Sequence, residues 1–359
     1  MIRAAQSIRR QVERTPKSHL IRSKAPLRIS FAGGGTDVSP YPERFGGCVL
    51  SCTIDKYAYV TLRSRADTQI AIRSLDYGID LTYDPSELVS ERGQLRLVDS
   101  IVRRFNASGI DIFMHSDAPP GSGLGSSSAM IVALCAALAR FGGHEMSMYD
   151  LADLAYEIER DDLGITGGMQ DQFAATFGGF NFIEFAASGV VVNPLRMSDS
   201  TLNELHYHLS LCYTGATRVS SNILAEQTRR VEDNNEEALL ALHQIRSLTI
   251  DLKRVLLRND LVRFGELLHE SWLCKRQLAS SITNAQIDAM YDAARTAGAW
   301  GGKILGAGGG GYLLFAMPFR RRSDVASALE ALGGHMTDFQ FDTMGVRTWT
   351  ADEDTWGSE

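Results

Sequence analysis

Pro119-Pro120-Gly121-Ser122-Gly123-Leu124-Gly125-Ser126-Ser127-Ser128-Ala129 compresses three glycines and four hydroxyl side chains into one short turn. An uninterrupted apolar run, Met130 to Leu138, follows it, and the alanines and leucines of that run favour a helix. Glycines let successive backbone N–H groups converge on one point. The start of a helix adds a partial positive charge and donors that have no intrahelical partner. Serines there can cap the helix and still offer an oxygen to a metal ion, so the combination suits a polyphosphate with magnesium. The competing reading is an ordinary loop closed by a serine N-cap. A P-loop is excluded, because that motif ends in Gly-Lys-Ser/Thr and no lysine occurs between Lys56 and Lys253. A phosphate bound here relies on backbone, helix dipole and metal.

The rest of the chain sets the context. Its 359 residues predict two domains, with a boundary near residue 195. A net charge of −7 argues against general nucleic-acid binding. No apolar stretch reaches transmembrane length, so no membrane partner is expected. Residues 1 to about 22 carry Arg3, Arg9, Arg10 and Arg14 without an apolar segment, and read as a basic extension rather than a secretory signal. The cysteines, Cys48, Cys52, Cys135, Cys212 and Cys274, are odd in number and mostly isolated, as expected of reduced thiols in a cytoplasmic protein. Leu27-Arg28-Ile29-Ser30-Phe31 alternates as a strand and runs into a second glycine turn, Ala32-Gly33-Gly34-Gly35-Thr36-Asp37. Met148 to Arg160 reads as an amphipathic helix, and the connection Gly164 to Phe173 carries Gly168 and Asp171 on a loop. His206 to Tyr213 reads as a strand that places His206 and His208 on one face, without the further ligands a metal needs. Leu242, Ile245, Leu248, Leu252, Val255 and Leu256 then repeat at helical spacing, as a core stripe does. Strands and helices alternate irregularly in both halves, which predicts an α+β fold with antiparallel sheets.

Gly306, Gly308 and Gly311 satisfy G-x-G-x-x-G, but in the wrong context for a dinucleotide enzyme. A helix precedes them and a strand follows, and too little chain remains for a doubly wound sheet. Close backbone approach to a ligand or to the other glycine loops is the better reading. Asp171 is either a turn residue or the group that accepts or orients a substrate hydroxyl proton. Glu159, Asp161 and Asp162 compete for any metal role, and spacing alone does not choose among them.

Three motifs in this order resemble the GHMP kinase superfamily: Ala25 to Asp37, Pro119 to Ala129, and Lys303 to Gly311. Within it, Leu27-Arg28-Ile29-Ser30-Phe31-Ala32-Gly33-Gly34-Gly35-Thr36-Asp37 and Gly168-Met169-Gln170-Asp171-Gln172 are most similar to the D-glycero-D-manno-heptose 7-phosphate kinases. L-fucose kinases share part of the pattern. Galactokinases carry Gly-Glu-His in place of Gly33-Gly34-Gly35.

The resemblance implies a two-domain architecture. An ATP-binding domain over residues 23–195 would be similar to the second domain of ribosomal protein S5, and a ferredoxin-like domain would span 196–359. It implies ATP as phosphoryl donor, Mg²⁺ as cofactor, a sugar phosphate as acceptor and a monomer or homodimer. The product would be a heptose 1,7-bisphosphate for nucleotide-activated heptose and surface glycans. Pro119, Gly121, Ser122, Gly123, Leu124, Gly125, Ser126, Ser127 and Ser128 would wrap the ATP phosphates, with Ser127 and Glu159 on the metal. Asp171 would lie beside the anomeric hydroxyl, and Arg28 would hold Asp171 ionised and offset charge on the transferred group. Gly34, Gly35, Thr36, Asp37, Gly168, Gly308 and Gly309 would contact the sugar. The segment Thr214 to Ser221, with Arg218 at a helix start, is the candidate pocket for the acceptor's own phosphate. A non-catalytic sensor on the same fold is the rival of another class, and the joint presence of Arg28, Ser127, Glu159 and Asp171 weakens it.

Overall fold

The computed structural model describes residues 20–74, 76, 78–86, 93–217 and 221–352. Its strands are β1 (Leu20–Ala32), β2 (Gly47–Ser64), β3 (Ile70–Ser74), β4 (Ile79–Tyr83), β5 (Ile110–Ser116), β6 (Phe180–Ala186), β7 (Gly189–Pro194), β8 (Leu209–Tyr213), β9 (Gly301–Ile304), β10 (Tyr312–Ala316), β11 (His335–Thr337), β12 (Phe341–Asp342) and β13 (Arg347–Ala351). The α-helices are α1 (Tyr41–Phe45), α2 (Gly93–Arg104), α3 (Ser126–Phe141), α4 (Met148–Glu157), α5 (Gln170–Phe177), α6 (Asp199–His208), α7 (Ser221–Glu232), α8 (Glu236–Leu257), α9 (Leu261–Lys275), α10 (Ala285–Thr296) and α11 (Arg322–Glu330). The expected α+β class is what the chain adopts.

The long strand β2 organises the larger sheet. One edge pairs with β1, as in Ile29 opposite Cys52. Its other edge divides: Gly47 to Cys52 pairs with β6, and Ala58 to Ser64 pairs with β5. All these ladders are antiparallel, while β3 and β5 run parallel. Helix α3 packs on β1 and β2. Every side chain from Ala129 to Ala139 is buried, and the small alanines on its several faces let it sit close to the sheet. The second sheet has the order β11-β8-β10-β9, entirely antiparallel. Helix α8 starts at the N-cap Asn235, whose side chain accepts from the Ala238 amide, and it buries Leu242, Ile245, Leu252 and Leu256.

Four expectations change. Leu20 to Arg22 are not part of a tail: they open β1, paired to Arg63, Leu62 and Thr61 on one side and to β13 on the other. The boundary near 195 does not separate the two sheets, because β12 and β13 return from the C-terminal end to pair with β2 and β1. One apolar core also runs from Phe31 and α3 through Phe264 to Leu211 and Leu314. His206 and His208 lie on helix α6, which the Ser198 side chain caps by accepting from the Thr201 amide, and only Leu209 to Tyr213 is strand. Finally, the helix from Met148 stops at Glu157 and passes into a π-helical turn, Ile158–Asp162.

Two contacts join the halves across this core. The Lys303 ammonium on β9 donates to the Ser30 carbonyl of β1 at 2.7 Å, fully buried. The Phe31 ring packs edge-on against Phe264 of α9 at a centroid separation of 5.4 Å. Phe31 is completely buried, so Phe31→Ala is expected to destabilise the whole fold by about 3–5 kcal/mol. Urea unfolding followed by circular dichroism measures this. A single shifted transition is expected, since the core is shared.

Candidate active site

A cleft open to solvent is lined by Arg28, Gly34, Asp37, Gly121 to Ser128 in part, Glu159, Gly168, Asp171, Lys275 and Gly306 to Gly310 in part. Its floor is made by two glycine loops in direct backbone contact. A Cβ on Gly123 would lie 2.6 Å from the Leu305 carbonyl oxygen, and one on Gly306 would lie 2.6 Å from the Gly123 Cα. The Tyr312 amide donates to the Ser122 carbonyl at 3.0 Å. The Gly306 motif therefore serves backbone approach, as its context predicted.

Gly125 is the N-cap of α3 in the left-handed region, φ +77°, and the first intrahelical bond runs from the Ala129 amide to the Gly125 carbonyl. The amides of Ser126, Ser127 and Ser128 are thus the unpaired donors of the helix start, at the edge of the cleft.

Arg28, buried on β1, binds Asp171 through Nε at 2.7 Å and Nη2 at 2.6 Å, both to Oδ1. Its Nη1 donates to the Gly123 carbonyl. Asp171 Oδ2 has no hydrogen-bond partner among the described residues and lies beside Gly125. Asp171 sits in the first turn of α5, not on the loop expected, so the helix dipole favours its charge.

Glu159 is turned inward by the π-helical turn. Its Oε2 accepts from Ser128 Oγ at 2.9 Å and from Gln172 Nε2, while Arg160 stands 3.7 Å from Oε1. Burial pushes its carboxyl above the ordinary 4.5, the Asp171 charge adds to this, and Arg160, Ser128 and Gln172 oppose it. Of the three acids only Glu159 lines the cleft: Asp162 is engaged by Arg104 and Ser100, and Asp161 does not line it. Ser127 also lines the cleft, but the serine bonded to Glu159 is Ser128. A buried, incompletely compensated carboxylate beside a hydroxyl and free helix amides fits Mg²⁺ held together with nucleotide phosphates.

Asp37 is fully buried and its carboxylate is occupied by the protein. Oδ1 accepts from the Gly35 amide at 2.9 Å, and Oδ2 from the Gln170 amide and side chain at 3.2 and 3.0 Å. It pins the Gly33 turn to the start of α5, in place of the expected free sugar ligand. Burial raises its pKa above 3.8, and the Asp171 charge adds to the rise. Other expected contacts are also corrected. Thr36 Oγ1 accepts from the Cys48 amide and faces the Gly33 and Cys48 carbonyls, away from the cleft. Ser122 and Leu124 are buried beneath the loop, and Pro119 lies outside the cleft. Gly309 faces away too, its amide on the Ile282 carbonyl. Gly34, Gly35, Gly168 and Gly308 line the cleft as expected. Arg218 lies outside the described residues.

Sequence reasoning missed Arg160, Gln170, Gln172 and Lys275. Arg160 donates to the Ile165 and Gly168 carbonyls and so holds the rim loop. Lys275, the last residue of α9, donates to the Gly306 carbonyl from a buried position in the cleft wall. Burial pulls its pKa down to about 8, helped by the Arg28 charge and opposed by Asp37 and Asp171.

Residues 94–179 match the model for the GHMP kinases N-terminal domain, and residues 252–337 the model for the GHMP kinases C-terminal region. A protein of Campylobacter jejuni described as D-glycero-alpha-D-manno-heptose 7-phosphate kinase is 38% identical, covering 92% of this chain and 98% of that one. The chain belongs to the GHMP kinases. It therefore has that family's two-domain architecture and is a phosphotransferase acting on a hydroxyl group, with ATP as the donor the family implies. A crystal structure described as a D-glycero-D-manno-heptose 1-phosphate kinase from Bacteroides thetaiotaomicron superposes with a TM-score of 0.78 at 35% identity, covering 93% of this chain and all of that one. An L-fucokinase/L-fucose-1-P guanylyltransferase of Bacteroides fragilis is 28% identical, over 83% of this chain and 35% of its own length. Among the described residues no helix is long and apolar enough to cross a membrane.

Two changes test the site of this GHMP kinase. A Cβ on Gly168 would lie 1.9 Å from Asp37 Oδ2. Gly168→Ala is therefore expected to dislodge Asp37 and cut turnover at least ~100-fold, read in a coupled ADP-release assay. Glu159 is harder to ionise in the fold than in the unfolded chain. Its charge therefore weakens stability above its native pKa, and that penalty fades as pH falls through that pKa towards 4.5. Glu159→Gln is expected to melt higher than the parent at pH 8 in the absence of metal, with the gap closing on acidification, as scanning calorimetry reads.

Proposed function

We propose that this kinase transfers the γ-phosphoryl group of ATP to the anomeric C1 hydroxyl of D-glycero-D-manno-heptose 7-phosphate, giving the 1,7-bisphosphate. The observation that carries the reading is the 38% identity to the Campylobacter jejuni heptose 7-phosphate kinase over nearly the full length of both chains. The product would supply nucleotide-activated heptose for surface glycans, made in the cytoplasm.

In this reading the ATP phosphates lie against Gly121, Gly123 and Gly125 and on the unpaired amides of Ser126, Ser127 and Ser128 at the start of α3. Ser127 and Glu159 would hold Mg²⁺, which when bound would neutralise phosphate charge. Gly34, Gly35, Gly168 and Gly308 bring backbone close to the sugar, since none has a side chain to hold it off. The C1 hydroxyl faces Asp171 Oδ2, the carboxylate oxygen that Arg28 leaves free. The hydroxyl oxygen attacks the γ-phosphorus, the bond to the β,γ-bridging oxygen breaks, ADP departs and the hydroxyl proton passes to Asp171. A loose transition state needs alignment and charge stabilisation more than a strong base. Arg28 serves both needs, orienting Asp171 through two bonds to one oxygen and bringing positive charge to the reacting centre.

The heptose relatives carry descriptions that differ in the carbon named, 7-phosphate in one and 1-phosphate in the other. The test therefore reads position as well as substrate. ADP release is measured with heptose 7-phosphate, heptose 1-phosphate, L-fucose, D-mannose and D-galactose, and the product carbon is assigned by ³¹P and ¹³C NMR. Turnover of heptose 7-phosphate with a new phosphate at C1 is expected; turnover of L-fucose alone would overturn the substrate. Asp171→Asn is expected to lower kcat by at least ~10³-fold while the ATP dissociation constant stays within about threefold. Isothermal titration checks the second part.

A further inference from the structure

We infer that Lys275 is a second phosphoryl-binding cation of this site, placed across the cleft wall from Arg28. The inference rests on the kinase reading above, and it concerns a residue outside all three glycine motifs.

An ammonium has three N–H donors. In Lys275, which is 6% exposed, one of them meets the Gly306 carbonyl, and no other acceptor is bonded among the described residues. The side chain lines the cleft beside Gly34, where a Cβ would stand 4.0 Å from Nζ. Neither nearby carboxylate forms an ion pair with it among the described residues, although Asp37 and Asp171 both favour its charge from a distance. Asp171 Oδ1 is taken by Arg28, and Asp37 is taken by the Gly35 amide and Gln170. Lys303 provides an internal contrast. It is buried to a similar degree and also gives one bond to a carbonyl, but it does not line the cleft and links β9 to β1.

Burying a cation with one neutral acceptor is unfavourable, and an apolar side chain of that length would fill the same space. The depressed pKa of about 8 has the same origin. Such a group is compensated when an anion enters the cleft. A phosphoryl dianion offers several acceptor oxygens to a compact point charge. Two phosphoryl groups are available in this reaction, the one in transit from ATP and the one carried by the acceptor.

The test compares the full-length parent with Lys275→Met and Lys275→Gln, two replacements of similar length. kcat and KM are measured with heptose 7-phosphate and with unphosphorylated D-glycero-D-manno-heptose, and melting temperature is measured at pH 7 without ligands. The expected result is a fall of at least ~100-fold in kcat/KM with a melting temperature equal to or above the parent's. A structural lysine would instead lower the melting temperature when removed. Loss of kcat on both sugars assigns the cation to the group in transit; a KM rise confined to the 7-phosphate assigns it to the acceptor's phosphate. Turnover within threefold of the parent in either folded variant overturns the inference, as does a loss of activity that tracks a loss of melting temperature in both. If the parent ignores heptose 7-phosphate and accepts another sugar, the substrate reading fails in the parent alone. The variants are then compared on that sugar, so Lys275 is judged independently.

Discussion

The site depends on backbone touching backbone between Gly123 and the Leu305–Gly306 segment. A single Cβ on either glycine would meet an atom of the opposite loop at 2.6 Å, closer than van der Waals contact permits. The first loop precedes α3, which is packed on the large sheet, and the second joins β9 to β10 of the small sheet. Their contact brings the unpaired amides of a helix from one half against a carbonyl-lined turn from the other. Arg28 and Lys275 each touch this junction at one carbonyl. Arg28 donates to the Gly123 carbonyl and Lys275 to the Gly306 carbonyl. The cations at this site therefore bind the scaffold as well as facing the cleft.

This arrangement explains why a loop without lysine can serve a kinase. In a P-loop the cation belongs to the phosphate-binding turn itself. Here the turn supplies amides and a helix dipole, while the positive charges arrive from β1 and α9. Because Arg28 uses two nitrogens on one oxygen of Asp171, the other oxygen stays available in a defined direction. In the proposed reading that geometry would constrain the acceptor side while the amides constrain the donor side, and both come from elements held in one shared core.

Much of this was legible in the sequence where the signal is local. Alanine-rich apolar character after three glycines implies α3 and its free amides, and the alternation through Arg28 implies β1; the burial of Arg28, on the face opposite Leu27 and Ile29, comes from Asp171 and the Gly123 loop packed over it. What was not legible depends on partners far away in the chain. Lys275 reads as an ordinary basic residue at a helix C-terminus, where the dipole and solvent both favour it; its burial follows from the loop that begins at Gly306. Thr36 looks like a sugar ligand until Cys48, on β2, is seen to occupy its hydroxyl. The short strands β12 and β13 carry too little periodicity to announce that they return to the first sheet. His206 was read in a strand because the apolar alternation of Leu209 to Tyr213 extends visually into it, whereas Ser198 caps a helix that ends at His208.

Buried charge is the remaining thread. Asp37, Glu159, Lys275 and Lys303 are all withdrawn from solvent, and burial displaces each pKa toward the neutral form. Yet they differ in how fully the protein compensates them. Asp37 receives three hydrogen bonds and acts as a fastener. Lys303 ties two strands together and does not line the cleft. Among the described residues Glu159 Oε1 has no hydrogen bond and only Arg160 at 3.7 Å, Lys275 has one acceptor, and both line the cleft, one on the side of α3 and one beside Gly34. Desolvated groups of opposite sign on two walls of one cleft are poorly suited to an empty protein and well suited to one that receives a cation at the first and an anion at the second. A metal ion beside Glu159 and a phosphoryl group beside Lys275 would each relieve one of these penalties.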